Sequence, residues 1–123
     1  EALTMLDMTK KDIIPAVSSY IKNLSDTALA KKALSADINT ELEKGIVSKL
    51  SSLSESLYKK TKKLEEDLLG VKNYDNLLSQ AAYYRDTIFL GMQELRVVAD
   101  EIEQLVGGRY WPYPTYGELL FSV

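Results

Sequence analysis

The 123-residue sequence contains neither cysteine nor histidine. Without cysteine, the chain has no disulfide bond, no thiolate metal site and no cysteine nucleophile. Without histidine, it lacks the commonest general base, the Ser-His-Asp triad and the usual ligands of most zinc sites. We therefore expect no catalytic, cofactor-binding or metal-binding residue in this sequence.

Neither charge nor apolar runs are in excess. Fifteen Lys and Arg stand against eighteen Asp and Glu, a net charge of −3, which argues against a nucleic-acid partner. No apolar run approaches the roughly 20 residues needed to span a bilayer, and no secretory signal is evident, so we expect no membrane partner. Because an apolar helical pattern starts at Leu3 without an initiator methionine, we expect a fragment of a longer chain.

Proline and glycine are scarce, with three and six residues, so long helices can form. Apolar residues recur at helical spacing and predict helices over about residues 3–34, 38–69 and 76–106. The first stripe is Leu3, Leu6, Ile13, Val17, Tyr20, Leu24 and Leu34; the second is Ile46, Leu50, Leu53, Leu57, Leu64 and Leu68; the third is Tyr74, Leu78, Ala81, Arg85, Ile88, Met92, Leu95, Ala99, Ile102 and Val106. Short connections favour an all-α, antiparallel up-down-up bundle over residues 1–108.

A few residues punctuate this pattern. Pro15 predicts either a kink near Asp12 or a helix that restarts with Pro15 in its first turn. Gly70 and the pair Gly107-Gly108 predict glycine C-caps, the latter with one residue in the left-handed conformation.

Residues 109–123 form an aromatic and proline-rich tail that we expect to be extended and docked. Pro112 and Pro114 disfavour a helix there. The rings could cover the bundle, or they could anchor in another domain or subunit, where Tyr and Trp are favoured. The candidate docking residues are Tyr110, Trp111, Tyr113, Tyr116, Leu119, Leu120 and Phe121.

Three charged features are interpreted as surface. The run of lysines at 59, 60, 62 and 63 is typical of a solvated helix face, since acidic residues follow it directly. Arg85, the one charge in the third stripe, is expected to reach solvent or to pair with a carboxylate of a neighbouring helix. Carboxylate pairs such as Asp100 and Glu103 lie at polar helix positions, which does not indicate acid–base chemistry.

The two ends and the third helix resemble type III glutamine synthetases. The tail from Tyr110 to Val123 resembles their C-terminal end, and segments 1–8 and 11–17 resemble the entry into their C-terminal helical region. Arg85-Asp86, Glu94-Leu95-Arg96 and Ala99-Asp100 fit the same region, whereas the second helix is generic. Type I enzymes end similarly, in a pattern matched here by Pro114, Glu118, Leu119, Ser122 and Val123.

This resemblance implies that the chain is the non-catalytic C-terminal domain of a cytoplasmic, ATP-dependent ligase that makes glutamine from glutamate and ammonia. Such enzymes use Mg or Mn and form double-ring homo-oligomers, and their ligands for metal and substrate lie upstream of this region. The expected partners are the catalytic domain of the same chain and neighbouring subunits, and the expected role is domain packing or oligomer assembly. The alternative is a free-standing interaction module of spectrin-like type, which would not need the Trp-Pro-Tyr-Pro tail.

Overall fold

A computed structural model describes residues 1–113, and within that range the chain is helical without any β-strand. The first long helix consists of α1 (Ala2–Met8), a π-helical turn (Thr9–Ile13) and α2 (Ile14–Leu34). The second is α3 (Glu41–Leu69), followed by a 3₁₀ turn (Gly70–Asn73). The third consists of α4 (Leu77–Tyr83), a π-helical turn (Tyr84–Ile88) and α5 (Phe89–Leu105). The predicted all-α class is confirmed.

Ion pairs show how the first two long helices run. Lys10, near the start of the first helix, pairs with Glu65 near the end of the second. Lys31, near the end of the first helix, pairs with Glu43 at the start of the second. The two helices are therefore antiparallel.

The third long helix reverses direction again. Lys60 Nζ lies 3.6 Å from Glu94 Oε2, and Tyr83 Oη donates a hydrogen bond of 2.7 Å to the carbonyl oxygen of Asp67. From the first contact to the second, the residue number rises from 60 to 67 in the second helix and falls from 94 to 83 in the third. The second and third helices are therefore antiparallel. The up-down-up order predicted from the short connections is confirmed.

The core lies where all three long helices meet. Its most deeply buried apolar side chains are Val17, Leu50, Leu57, Leu64, Ile88, Leu95 and Ile102. Burying each such side chain contributes about 1.5–3 kcal/mol. The seven-residue spacing of the leucines in α3 and of Ile88, Leu95 and Ile102 keeps them on one face, as their stripes predict.

Pro15 lies in the first turn of α2, directly after a π-helical turn, and the backbone remains helical on both sides. The amide of Ile14 donates to the carbonyl of Thr9, five residues back rather than four. Proline has no N–H to donate to the carbonyl four residues before it, so a change of hydrogen-bond register is tolerated there. The helix therefore does not end at Pro15, because the π turn accommodates the absence of the proline N–H.

Because of a second π turn, part of the predicted third stripe does not face the core. Tyr74, Leu78, Ala81 and Arg85 were predicted to face the core, yet all four are exposed, Leu78 by 83%. The turn at Tyr84–Ile88 adds a residue to one helical turn, which rotates α4 relative to α5. The stripe is correct in α5 and wrong in α4.

The prediction is also wrong for the first and last residues of the first stripe. Leu3 is exposed, and Ala2, which was not in the stripe, is buried together with Leu6. Leu34 is 82% exposed. Gly107, just past the end of α5, lies against Tyr20, so α5 does not extend alongside the last turns of α2.

Gly70 is the C-cap of α3, as predicted, whereas the predicted left-handed cap at Gly107-Gly108 is not found. In residues 1–113 no glycine has a positive φ angle. Gly70 has φ −73° and ψ −14° and continues into the 3₁₀ turn. The third helix instead ends where Val106 adopts an extended conformation, with φ −78° and ψ 132°. The prediction of a left-handed glycine C-cap is therefore wrong for the third helix, because its C-cap is Val106 and not a glycine.

Candidate docking surface

The chain turns back on itself after the third helix. The amide of Tyr110 donates a hydrogen bond of 2.8 Å to the carbonyl of Gly107. At Gly107 a Cβ atom would lie 3.2 Å from Tyr20 Cε1, closer than ordinary van der Waals contact. Glycine at this position therefore permits a close approach to the first helix.

Aromatic contacts hold the returning segment. The rings of Tyr110 and Tyr20 are 5.2 Å apart and tilted by 48°, and the Arg109 guanidinium lies 5.2 Å from the Tyr110 ring. Trp111 meets Tyr113 edge to face at 6.4 Å. Aromatic pairs of this kind contribute about 0.5–1.5 kcal/mol beyond burial. All three tail rings are half-buried against the core.

Tyr113 is fixed to the first helix by a polar contact. Its hydroxyl donates a hydrogen bond of 2.6 Å to a carboxylate oxygen of Asp12. The pKa of the Tyr113 phenol is raised to about 12, first by burial and then by the hydrogen bond to Asp12, which only the protonated phenol can donate. The negative charges of Asp12 and Asp7 add to the rise because they would repel a phenolate. The phenol therefore keeps its proton at neutral pH and remains a donor.

The structure thus places three of the predicted docking residues against the bundle: Tyr110 and Tyr113 contact the first helix, and Trp111 packs against Tyr113 and the core. The other four, Tyr116, Leu119, Leu120 and Phe121, lie outside the described residues. That any of the seven contacts another domain or subunit stays a prediction.

The lysine-rich part of α3 is a helix face with acidic neighbours. Lys63 Nζ lies 2.7 Å from Asp67, and Lys60 pairs with Glu94 of the third helix. Lys62 Nζ lies 5.6 Å from the centre of the Tyr58 ring. Lys60, Lys62 and Lys63 thus have partners within the chain, and their positions do not require a polyanionic ligand.

Arg85 pairs with its own neighbour in sequence. Its Nε lies 3.0 Å from Asp86 Oδ1, and both side chains are exposed. This pair lowers the pKa of the Asp86 carboxyl through the hydrogen bond from Arg85. The sequence prediction of a solvent-reaching arginine agrees with this position, but the carboxylate comes from the same helix and not from a neighbouring one.

Sequence reasoning missed a buried carboxylate at the connection between the first two helices. The Glu43 side chain is almost fully buried, and its Oε2 accepts from Lys31 Nζ at 2.6 Å. This hydrogen bond lowers the pKa of the Glu43 carboxyl. Its other oxygen, Oε1, is buried without a protein partner. An acidic residue in a helical first turn is usually exposed, so the sequence carries no signal for this burial.

Large apolar side chains also remain on the outside of the molecule. They are Leu3, Met8, Leu29, Leu34, Leu42, Tyr58, Leu69, Tyr74, Leu77, Leu78, Tyr84, Phe89, Leu90 and Val97. One group lies near the connection between the first and second helices, and another lies around α4 and the start of α5. Where exposed apolar side chains join into one patch, they mark sites of protein–protein contact.

Neither a metal centre nor a membrane segment is found in the described part of the chain. Among residues 1–113, no three acidic side chains come together in a group that could hold a metal ion. None of the helices there has the length and apolar character required to cross a membrane.

The chain is similar in sequence to two known proteins. No protein-family model matches it. Over 123 residues, the whole of the chain, it is 39% identical to a glutamine synthetase of Butyrivibrio fibrisolvens, of which it covers 18%. Over 125 aligned positions, 98% of the chain, it is 25% identical to a type-3 glutamine synthetase of Dictyostelium discoideum, of which it covers 17%. The chain thus spans less than a fifth of each relative, and the resemblance seen in its sequence is confirmed: along its entire length it is similar to a region of glutamine synthetases, one of them of type 3.

Proposed function

We propose that this chain is the C-terminal helical region of a type III glutamine synthetase. The observation that supports the proposal is the end-to-end similarity to two glutamine synthetases of much greater length. The parent protein would be a cytoplasmic ligase that forms glutamine from glutamate and ammonia with ATP and Mg or Mn. The catalytic residues would lie in the remainder of that protein.

We further propose that this region supports packing of the catalytic domain or assembly of a double-ring oligomer. The exposed apolar side chains at both ends of the bundle support a contact role. Tyr113, the last described residue, is tied to the first helix, which fixes this end of the described chain on the bundle. Leu119, Leu120 and Phe121 could then reach the catalytic domain or a neighbouring subunit.

Truncation of the full-length protein after Gly117 tests the assembly role. This change removes Leu119, Leu120 and Phe121, and we expect a smaller oligomer or a higher subunit dissociation constant in light scattering or native mass spectrometry. Ser122→Ala is the control because it removes only a hydroxyl. An assembly unchanged by truncation would contradict the proposed role.

The non-catalytic role is tested separately by glutamine formation. Asp100→Asn and Glu103→Gln neutralise the carboxylate pair of α5, and we expect the full-length variants to keep the kcat and KM of the parent protein. A large fall in kcat with assembly intact would place chemistry in this region and contradict the proposal.

A further inference from the structure

One face of α4 has no partner among residues 1–113. Leu77, Ala81 and Tyr84 follow each other at spacings of four and three, so they lie on one side of the helix. All three are exposed, Leu77 by 84% and Tyr84 by 47%. In the next turn this side reaches Ile88, which is fully buried in the core.

The exposed face lies in line with the first long helix. Glu1 and Ala2 share one groove of about 510 Å³ with Tyr84, Ile88 and Met92 of the third helix. Further along, Tyr20 lies against Gly107, so the first and third helices run parallel. The third helix therefore extends past Ala2 over the stretch from Ile88 back to Leu77, which is eleven residue steps or about 16 Å at 1.5 Å per residue.

The first turn of α1 is packed but not capped. Ala2 is only 6% exposed, and Leu6 is also buried. Glu1 makes no side-chain capping hydrogen bond, and the first backbone bond of the helix runs from Met5 to the Glu1 carbonyl. The amides of Ala2, Leu3 and Thr4 thus precede the first intrahelical donor. By contrast, the Asn76 side chain caps α4 by accepting from the Ser79 amide.

We infer that, in the full-length protein, the residues directly before Glu1 continue the first helix for about three turns and cover Leu77, Ala81 and Tyr84. This inference rests on the proposed function, which puts the chain at the C-terminal end of its parent protein, and on the length of the relatives, which are more than five times as long as this chain. The added helix extends the buried positions Ala2 and Leu6 backward, so the second and third residues upstream of Glu1 are apolar.

Hydrogen–deuterium exchange on the full-length protein tests this inference directly. A continued helix provides carbonyl acceptors for the amides of Ala2, Leu3 and Thr4, so we expect them to exchange at least about tenfold more slowly than in an unstructured peptide of that sequence. Exchange at the unstructured rate would overturn the inference.

Two adjacent leucines provide a matched pair of variants in the same protein. Leu77 and Leu78 are exposed to nearly the same extent, 84% and 83%, but their side chains point about 100° apart around α4. Leu77→Asp puts a charge under the added helix and should abolish the protection of Ala2–Thr4, whereas Leu78→Asp should leave it unchanged. Equal effects of the two variants would count against the inference.

Further outcomes separate this inference from its alternatives. If Leu77→Asp dissociates the oligomer while Ala2–Thr4 exchange freely in the parent protein, another subunit covers the face and the inference is wrong. Glutamine formation is measured on the same samples. Protected amides in a protein that forms no glutamine would support the added helix and contradict the proposed function. Unprotected amides in a protein that forms glutamine would support the proposed function and contradict the added helix.

Discussion

Tyr113 and Asp12 are 101 residues apart in the chain, and the Tyr113 hydroxyl donates a hydrogen bond of 2.6 Å to the Asp12 carboxylate. Asp12 lies in the π turn of the first helix, directly before the α2 segment that contains Pro15. The contact therefore joins the segment after the third helix to the place where the hydrogen-bond register of the first helix changes.

This contact should make docking of the segment sensitive to alkaline pH. The pKa of Tyr113 is raised to about 12, above the ordinary value of about 10. A raised pKa means that the stabilisation is fully present below about pH 10 and is lost as the pH rises toward 12. Trp111 is the chain's one tryptophan. We therefore expect its fluorescence to shift to the red over this window as the segment undocks.

Tyr113→Phe separates this effect from general alkaline unfolding. The ring is kept and the hydroxyl is lost, so a smaller pH-dependent shift of Trp111 fluorescence is expected. Helix content, followed by circular dichroism, reports on the bundle in the same titration. An unchanged fluorescence titration in Tyr113→Phe would show that another group controls docking.

Two neighbouring glycines test the close approach of the segment to the first helix. A Cβ at Gly107 would lie 3.2 Å from Tyr20 Cε1, whereas a Cβ at Gly108 meets nothing within 4 Å. We expect Gly107→Ala to displace the contact between Tyr20 and Tyr110 and to lower the melting temperature by a few degrees, about 1 kcal/mol. Gly108→Ala should not destabilise the chain. Equal melting temperatures for the two variants would contradict this account.

The regular parts of the fold could be predicted from apolar spacing alone. Leu50, Leu57 and Leu64 recur every seven residues and face the core, because a straight helix returns almost to the same face after two turns. The short connections then leave little choice but antiparallel neighbours. These features depend only on local sequence and on general helix geometry.

The π turns and the partner of the aromatic segment could not be predicted in this way. The turn at Tyr84–Ile88 is made of residues that ordinary helices contain, and it directly follows Tyr83, whose hydroxyl contacts the carbonyl of Asp67 on the second helix. Likewise, aromatic and proline content indicated that residues 109–123 dock, but nothing in that segment indicates Asp12. Long-range contacts decide both, and a single sequence does not show them.

The ion pair between the buried Glu43 and the half-buried Lys31 should make stability sensitive to acid. Lys31 lowers the pKa of the Glu43 carboxyl through a hydrogen bond of 2.6 Å. A lowered pKa means that the stabilisation is present above the pKa of the unfolded chain and is lost as the pH falls through the folded value. We expect Glu43→Gln to reduce the dependence of the denaturant midpoint on pH in the acid range. Glu41→Gln, on the exposed side of the same turn, is the control and should behave like the parent chain.

Gly70 and Gly45 should respond in opposite directions to the same substitution. A Cβ at Gly70 would lie 2.9 Å from Tyr83 Oη, so alanine forces the phenol away from the Asp67 carbonyl that it now contacts at 2.7 Å. Losing this hydrogen bond costs about 1 kcal/mol. Gly45 lies in α3 with open space around it, and alanine there stabilises a helix by about 0.5–1 kcal/mol. Thermal unfolding should therefore show a lower melting temperature for Gly70→Ala and a higher one for Gly45→Ala. A rise in both would mean that Tyr83 can move without cost and that its hydrogen bond does not fix the start of the third helix.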